Sequence, residues 1–397
     1  MQNILFLVHR IPFPPNKGDK IRSFHFLKAL SERFNVFLAT FVDDEQDWQY
    51  REELSAYCRD VFCLPLQPRT AKIRSLTGLI NGKALSLPYY HNAELQDWVD
   101  RAIDQFGIEK VMIFSSVMGQ YVLDKPDLKI VADFVDVDSD KWRQYAQKKR
   151  WPESWVYRRE AVKLLSFERL LARQASISAF VSAQEAELFK QLAPECSEKV
   201  TAVNNGVDVD YFNPAMVFPS PYNQAEKIMV FTGAMDYWAN VDAVVWFARE
   251  VLPRILRQIP QAKLYIVGSK PAKDVRALEN KQSVYVTGRV EDIRPYLAHA
   301  SIAVAPLRIA RGIQNKVLEA MAMEKTVLAT SPAMEGIQGY DTENVVVGDD
   351  CEQMAEQACR LLSLPPERLH SPSNRSFVES NFSWRSSGDY LIELMGS

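Results

Sequence analysis

The chain opens on "ILFLV" (residues 4–8), five consecutive apolar residues that stop at His9. A run this short with no polar alternation reads as a strand buried on both faces, the parallel-sheet pattern. The loop "HRIPFPPNKGDKIRS" follows, then a helix over about 23–33 and a strand at "NVFLATFV". "KVMIF" (110–114), "KIVADFVDV" (129–137), "SISAFVS" and "KVTAVNNGV" are further strands, with helical stretches between them. Strands alternating with helices predict a doubly wound α/β sheet.

The pattern breaks at "NPAMVFPSPYNQAEK" (213–227), where three prolines and several polar residues predict an interdomain linker. It then restarts with "KIMVFTG", the helix "DAVVWFAREVLPRIL", "KLYIVGS", "SVYVTGRV", the helix "IRPYLAHA", "SIAVAPL", a helix over about 314–323, "KTVLAT" and "NVVVG". A strand, a Gly-containing loop and a helix recur at Gly233, Gly268 and Gly288. The expected organisation is an N-terminal α/β domain over 1–212, the linker, and a C-terminal α/β domain over 228–375. The last segment, about 376–397, reads as helical and is expected to pack back onto the first domain. A chain of 397 residues fits two such domains, at about 100–200 residues each. Two α/β domains facing a cleft suit a ligand held at strand C-terminal ends.

Composition narrows the classes. A net charge of −3 from 47 basic and 50 acidic residues offers no global field for nucleic acid. The five cysteines are scattered and odd in number, which reads as reduced thiols, and none has His or further Cys at zinc spacing. No metal is expected. The first apolar run is too short for a signal peptide, and no run reaches the roughly 20 residues of a membrane span. A cytoplasmic protein is therefore expected, with the inner face of the membrane as one place for it to act. "KKRWPESWVYRREAVKLL" (148–165) interleaves cations with Trp151, Trp155 and Tyr157. It reads either as a contact with an anionic membrane and a lipid-linked ligand or as a solvated helix with packed aromatics.

The densest chemistry lies in "ARGIQNKVLEAMAMEKTVLAT" (310–330). A helix beginning near Gln314 presents free N–H groups and a positive dipole end to an anion. Arg311 and Lys316 flank that end, with Gly312 and Asn315 in the loop and first turn. Glu319, three residues after Lys316, shares its helix face and can accept hydrogen bonds from two adjacent ribose hydroxyls. The alternative is a Lys/Glu pair on a solvated stripe. Val317, Leu318, Ala320, Met321, Ala322 and Met323 leave little polar face for one.

In the first half, Gly18 in "NKGDK" would let backbone N–H groups approach a ligand, with Asp19 and Lys20 beside it; a plain surface turn is the competing reading. His9 ends the first strand and is placed to line the cleft. "ADFVDVDSDKW" sets Asp133, Asp136, Asp138 and Asp140 at a strand end without the glycine and closing glutamate of a calcium loop. There is no strand–GxGxxG–helix unit for a dinucleotide and no G-x-S-x-G elbow.

The stretch "GIQNKVLEAMAMEKTVLAT" resembles the donor-site signature of GT-B glycosyltransferases of family four, retaining enzymes that use nucleotide-sugars. "ISAFVSAQEAELF…KVTAVNNGVDVDYFNP", "VFTGAMDYWANVDAVVWFAREVLP", "AKLYIVGS" and "VYVTGRVEDIRPYLAHASIAVAPL" are similar to further segments of that family, in its order and spacing. "HRIPFPPNKGDKIRSFHFLKAL" resembles its acceptor-side loop and helix. The likeness covers most of the chain, is weaker over about 41–129, and is greatest to the subgroup of bacterial exopolysaccharide clusters.

The resemblance implies two Rossmann-like domains of the GT-B fold and sugar transfer from a nucleotide-diphosphate donor to a saccharide or lipid-linked saccharide, with retention and without a metal. It places Glu319 at the second Glu of an E-x7-E motif, which holds the ribose. Arg311 stands where the first Glu, a donor-sugar contact, is usual. Lys316 becomes a diphosphate partner. The loop after the first strand of the C-terminal domain, where a basic residue is common, holds Met235 and Asn240, while Gly233 permits close backbone approach. Arg289 falls where relatives meet the base, or is a solvated loop residue. Gly18, Asp19, Lys20 and His9 fall on the acceptor side. Asp136 falls near a position where many relatives carry a His, and is otherwise a loop cap. Lys316, Arg311 and Asp136 are the candidate catalytic groups. With Arg311 in place of the usual Glu, a catalytically weak sugar-nucleotide-binding subunit is the alternative.

Overall fold

The computed structural model describes residues 1–15, 18–147, 149–223, 226–310 and 312–396. The chain divides into two units, Met1–Asn205 together with the C-terminal stretch from Ser387, and Gly206–Ser386. Each is built on one parallel sheet, because its strands are apolar runs that can only be buried on both faces.

In the first unit the strands are β1 (Gln2–Val8), β2 (Phe34–Val42), β3 (Asp60–Pro65), β4 (Lys110–Phe114), β5 (Lys129–Val135), β6 (Ile177–Phe180) and β7 (Val200–Ala202). Their order is β3-β2-β1-β4-β5-β6-β7, with Ile4 of the central β1 in register with Val36 on one side and Lys110 on the other. Residues 4–8 are fully buried. The edge strand β3 has no counterpart among the expected strands. Its burial is shallow, and an edge position tolerates the Asp60, Cys63 and Pro65 that mask a strand pattern.

In the second unit β8 (Lys227–Thr232), β9 (Ala262–Val267), β10 (Val284–Gly288), β11 (Ile302–Ala305), β12 (Val327–Ala329) and β13 (Val345–Val347) follow the order β10-β9-β8-β11-β12-β13. This is the doubly wound order, with the chain reversing direction across the sheet between β8 and β11, as it does between β1 and β4 in the first unit. Ligands of such sheets bind at the strand C-terminal ends beside that reversal.

The helices used below are α1 (Gly18–Ser31), α2 (Pro68–Ser75), α3 (Thr77–Ile80), α4 (Asp138–Gln147), α5 (Glu153–Gln174), α6 (Trp238–Trp246), α7 (Asn315–Ala322) and α8 (Trp384–Met395). Helix α1 starts five residues before the expected Ser23, which places Asp19 in its first turn. The C-terminal segment is not one helix. It breaks at Phe382–Ser383, where Ser383 bridges Val207 and the Ser383 hydroxyl accepts from Ser386 N–H. From Ser387 the chain belongs to the first unit: Ser387 donates to Asn204 O at 2.9 Å, and Lys110 donates to Gly396 O at 2.8 Å. No helix among the described residues is long and apolar enough to cross a membrane.

Candidate active site

In the second unit the loops after β8, β9 and β11 meet at the reversal point. Gly233 follows β8 with φ +151°, a conformation that favours glycine. Gly268 follows β9, and a Cβ there would lie 1.7 Å from Gly233 O. Only two glycines allow the two loops to pack so closely. Gly312, with φ +65°, turns the β11 loop toward α7, and Gly336 packs against its carbonyl carbon.

Helix α7 forms from good helix formers and ends where Glu324 takes the left-handed conformation (φ 57°), with Lys325 N–H closing onto Ala320 O. Its N-cap Gln314 makes no side-chain cap bond, and among the described residues no other side-chain oxygen accepts from the N–H groups of the first turn. Asn315 is exposed at that turn. Val317, Leu318, Ala320, Met321 and Ala322 are buried, and this apolar jacket encloses the two charged residues of the helix.

Lys316 and Glu319 are both half-buried. Lys316 Nζ donates to Asn240 Oδ1 at 2.9 Å and lies 5.2 Å from the Phe231 ring centroid. Asn240, buried on α6, is held in turn by a bond from its Nδ2 to Ala234 O. Burial pushes the Lys316 ammonium down to about 8, against the opposing pull of Glu319. Burial likewise pushes the Glu319 carboxyl up to about 7, against the opposing pull of Lys316. Their attraction acts at a distance: Lys316 donates to Asn240, and among the described residues the Glu319 carboxylate accepts no hydrogen bond. A half-buried acceptor with free lone pairs stands beside a cation, uncapped helix N–H groups and glycine backbone.

Tyr211 also senses Glu319, and its ring carries Arg294 at 3.9 Å. Sequence reasoning missed this group, because Tyr211 and Arg294 come together only through the fold. The structure buries Met235 completely, so that position offers the site no polar group. Arg289 follows β10 and is exposed, with no ion pair among the described residues. Arg311 lies outside the described residues.

The first unit gathers charges at its own reversal point. His9 Nε2 stands 3.6 Å from Asp19 Oδ2, and Arg10 bonds both Asp19 (2.7 Å) and Asp43 (2.9 Å). Burial opposes ionisation of Asp19, but His9 and the Arg10 guanidinium outweigh it and hold the carboxyl well below the usual range. His9 stacks on Phe114, and its buried Nδ1 has no partner among the described residues. Gly18 opens α1 with nothing within 4 Å of a Cβ added to it.

Lys20, expected to face an acceptor, is 1% exposed and ion-paired with the buried Asp47. Because α1 begins at Gly18, Lys20 falls on its inner face and has a packing role. Asp136 is paired with Lys141 at 2.6 Å, and Lys141 also holds Asp138, so its charge is already neutralised on α4. Between the ends of β2 and β3 lies an open cavity of about 570 Å³. Asp43, Glu45, Trp48, Gln67 and Arg69 are among its lining, an aromatic face with hydrogen-bonding groups around it. No group of three or more His, Cys, Asp or Glu among the described residues is arranged to hold a metal ion.

Residues 226–364, which lie within the second unit and include its whole sheet, match the family of glycosyl transferases group 1 (Glyco_trans_1_4). The chain has the GT-B fold and carries a glycosyltransferase domain. A glycosyltransferase from Rickettsia africae superposes with a TM-score of 0.66 at 14% identity, covering 99% of this chain and 97% of that one. HepE of Anabaena, solved in complex with UDP, gives a TM-score of 0.64 at 14% identity over 99% of both chains. An uncharacterized 44.6 kDa protein in the cps region of Klebsiella pneumoniae is 21% identical over 363 residues, 88% of each chain. For the transferase, the family match covers the glycines, Asn240, Lys316 and Glu319 described above.

Proposed function

We propose that the transferase binds a nucleotide-diphosphate sugar on its second unit and passes the sugar to a saccharide, carried on a lipid, in bacterial exopolysaccharide synthesis. The observation that carries this is the half-buried Glu319 carboxylate with no hydrogen-bond donor among the described residues. Two adjacent ribose hydroxyls supply the donors it lacks. Lys316 and the uncapped N–H groups of α7 face the diphosphate, and their charge stabilises the leaving group as the glycosidic bond breaks. Gly233 and Gly268 keep side chains out of the path of the phosphates. Retention at the anomeric carbon follows from the family resemblance, and Arg311, standing where relatives keep a sugar-binding Glu, is assigned instead to phosphate or an acidic sugar.

The uridine nucleotide in HepE supports a UDP-sugar as the first donor to try, and the cps-region relative supports the exopolysaccharide setting. On the acceptor side His9, Asp19 and the Trp48 cavity receive the saccharide, where an aromatic face and flanking polar groups suit a sugar ring. Asp136, already bound to Lys141, is a positioning group. The lipid-linked acceptor places the work at the cytoplasmic face of the membrane.

A thermal-shift panel of UDP-, GDP- and ADP-sugars on the parent and on Glu319→Ala tests the reading. One nucleotide class should raise the melting temperature of the parent and lose most of that effect in the variant. Equal stabilisation of both proteins would refute the ribose assignment. Donor binding with no transfer or hydrolysis would favour a sugar-nucleotide-binding subunit, the alternative raised by Arg311.

A further inference from the structure

Residues 67–90 carry Arg69, Lys72, Arg74 and Lys83 and no Asp or Glu. They contain α2 and α3, and Leu76 between these helices is itself in the helical region (φ −62°, ψ −23°), so the chain stays nearly helical across the junction. Ala71 and Gly78 are buried. Ile73, Leu76 and Ile80 are 70%, 54% and 87% exposed. Spacings of three and four set these side chains on one face. Arg74 turns away from it and donates to Pro88 O and Tyr89 O.

Helix α5 packs beside this segment. Arg159 donates to Gly78 O at 2.7 Å and Lys83 O at 3.0 Å, while the buried Glu160 accepts from Leu85 and Ser86 N–H. One turn before and after Arg159, α5 shows Trp155 (54% exposed) and Val162 (64%), and Trp151 just ahead of the helix is 81% exposed. Lys72, Lys83, Arg150 and Arg158 are exposed around these apolar residues. The carboxylates of residues 148–165 are two: Glu160 is buried, and Glu153 is paired with Lys149.

Scattered apolar residues on a surface need no explanation, but a set drawn from adjoining elements marks a surface that is covered in use. The cations decide by what. The chain as a whole is acidic, whereas this face is basic, so two copies of it would set cation against cation. An anionic bilayer surface complements both features: apolar side chains and tryptophan enter the interface, and Lys and Arg meet the headgroups. We infer that α2–α3 and the first half of α5 form an interfacial docking surface for an anionic membrane. The helices lie in the plane of the interface. The inference rests on the proposed reading only in giving the membrane a purpose, the supply of a lipid-linked acceptor.

The test is co-sedimentation of the full chain with phosphatidylcholine vesicles, with and without phosphatidylglycerol, alongside melting curves and nucleotide-sugar hydrolysis. The parent should partition onto the anionic vesicles and release as salt rises. Ile73→Ser/Ile80→Ser and Lys72→Glu/Arg158→Glu should each lower partitioning at least tenfold, at roughly fivefold per cation for the second pair, with melting and hydrolysis unchanged. Partitioning that fails for the parent at low salt, or that survives both double substitutions, overturns the inference. So does light scattering showing a dimer that Ile73→Ser/Ile80→Ser dissolves, which would assign the face to a second copy. Loss of hydrolysis with vesicle binding intact would count against the donor reading and leave this surface standing.

Discussion

Replacing Glu319 by Gln should make the protein alone more stable and its nucleotide complex weaker. The carboxyl is raised by burial from 4.5 to about 7, so the folded chain holds that proton more tightly than the unfolded chain. The sign follows from proton linkage. Below pH 4.5 the group is protonated in both states and costs nothing. As pH rises from 4.5 to about 7 the unfolded state ionises first, and stability falls. Above 7 the full cost is present. At about 1.4 kcal/mol per pKa unit the cost is about 3 kcal/mol. Removing the carboxylate also removes the pull that holds Lys316 at about 8, which returns part of it. A net gain of about 1–2 kcal/mol is expected at pH 8, or roughly 2–8 °C in the melting of a unit this size, with little change at pH 5.

Binding moves the other way. A carboxylate that accepts two hydroxyl hydrogen bonds is exchanged for an amide with one acceptor oxygen, and a charged hydrogen bond contributes about 1.5–3 kcal/mol. Calorimetric titration with UDP at pH 8 should therefore show affinity reduced roughly 10- to 100-fold. Two results refute the reasoning. A variant that melts no higher than the parent at pH 8 means that burial does not destabilise the carboxylate. Unchanged UDP affinity means that Glu319 does not hold the ribose.

Three further substitutions follow from the same geometry. Asn240→Leu removes the acceptor for Lys316 Nζ, so the ammonium, already lowered to about 8, should lose its proton at lower pH. UDP affinity, which on the proposed reading needs the cation, should fade as pH rises through about 8 in the parent and earlier in the variant, and affinity measured across that range checks it. Gly268→Ala forces a Cβ against the Gly233 carbonyl, a backbone atom with little freedom to move. Circular dichroism melts should show a loss of about 3 kcal/mol or more, in the range of severe overpacking. Lys20→Met leaves Asp47 as an uncompensated buried charge, and removal of one partner from such a pair costs about 3–5 kcal/mol. The melting temperature should fall sharply, and a stable variant with only weakened acceptor affinity would return Lys20 to the acceptor side.

The second unit was more legible than the first because of its exposure pattern. Its strands are continuous apolar runs, several of them closed by a glycine, and each of the six is where the pattern places it. In the first unit β3 escaped notice because an edge strand needs only partial burial and can include Asp60 and Pro65. Glu319 was conspicuous for a local reason: a carboxylate inside an otherwise apolar turn needs a purpose. Its neighbour Asn240 was noted only for the basic residue it is not. The bond to Lys316 spans 76 positions and exists because β8 and β11 are adjacent, which no local window shows. Lys20 shows the opposite failure. "NKGDK" looks like a polar turn, yet α1 begins inside it and rotates Lys20 inward to Asp47.

The same adjacency accounts for why the polar groups of the second unit are incompletely matched to one another. Lys316 and Glu319 lie on one face of one helix and could pair directly, which would relieve both burial costs. Instead Asn240 draws the ammonium toward Gly233, and the carboxylate keeps its lone pairs. A packing-only site would have no reason to hold the two apart. On the proposed reading, holding them apart leaves a cation and an anionic hydrogen-bond acceptor for different parts of one ligand, a diphosphate and a sugar. The burial cost on each group should then be recovered on binding, because a diphosphate would raise the lysine pKa and ribose hydroxyls would lower that of the carboxyl. Saturating nucleotide at about 100 times its dissociation constant should add about 2.7 kcal/mol to the stability of the fold. If the pair is the source, that gain should shrink in Asn240→Leu and Glu319→Gln more than in any substitution of the first unit.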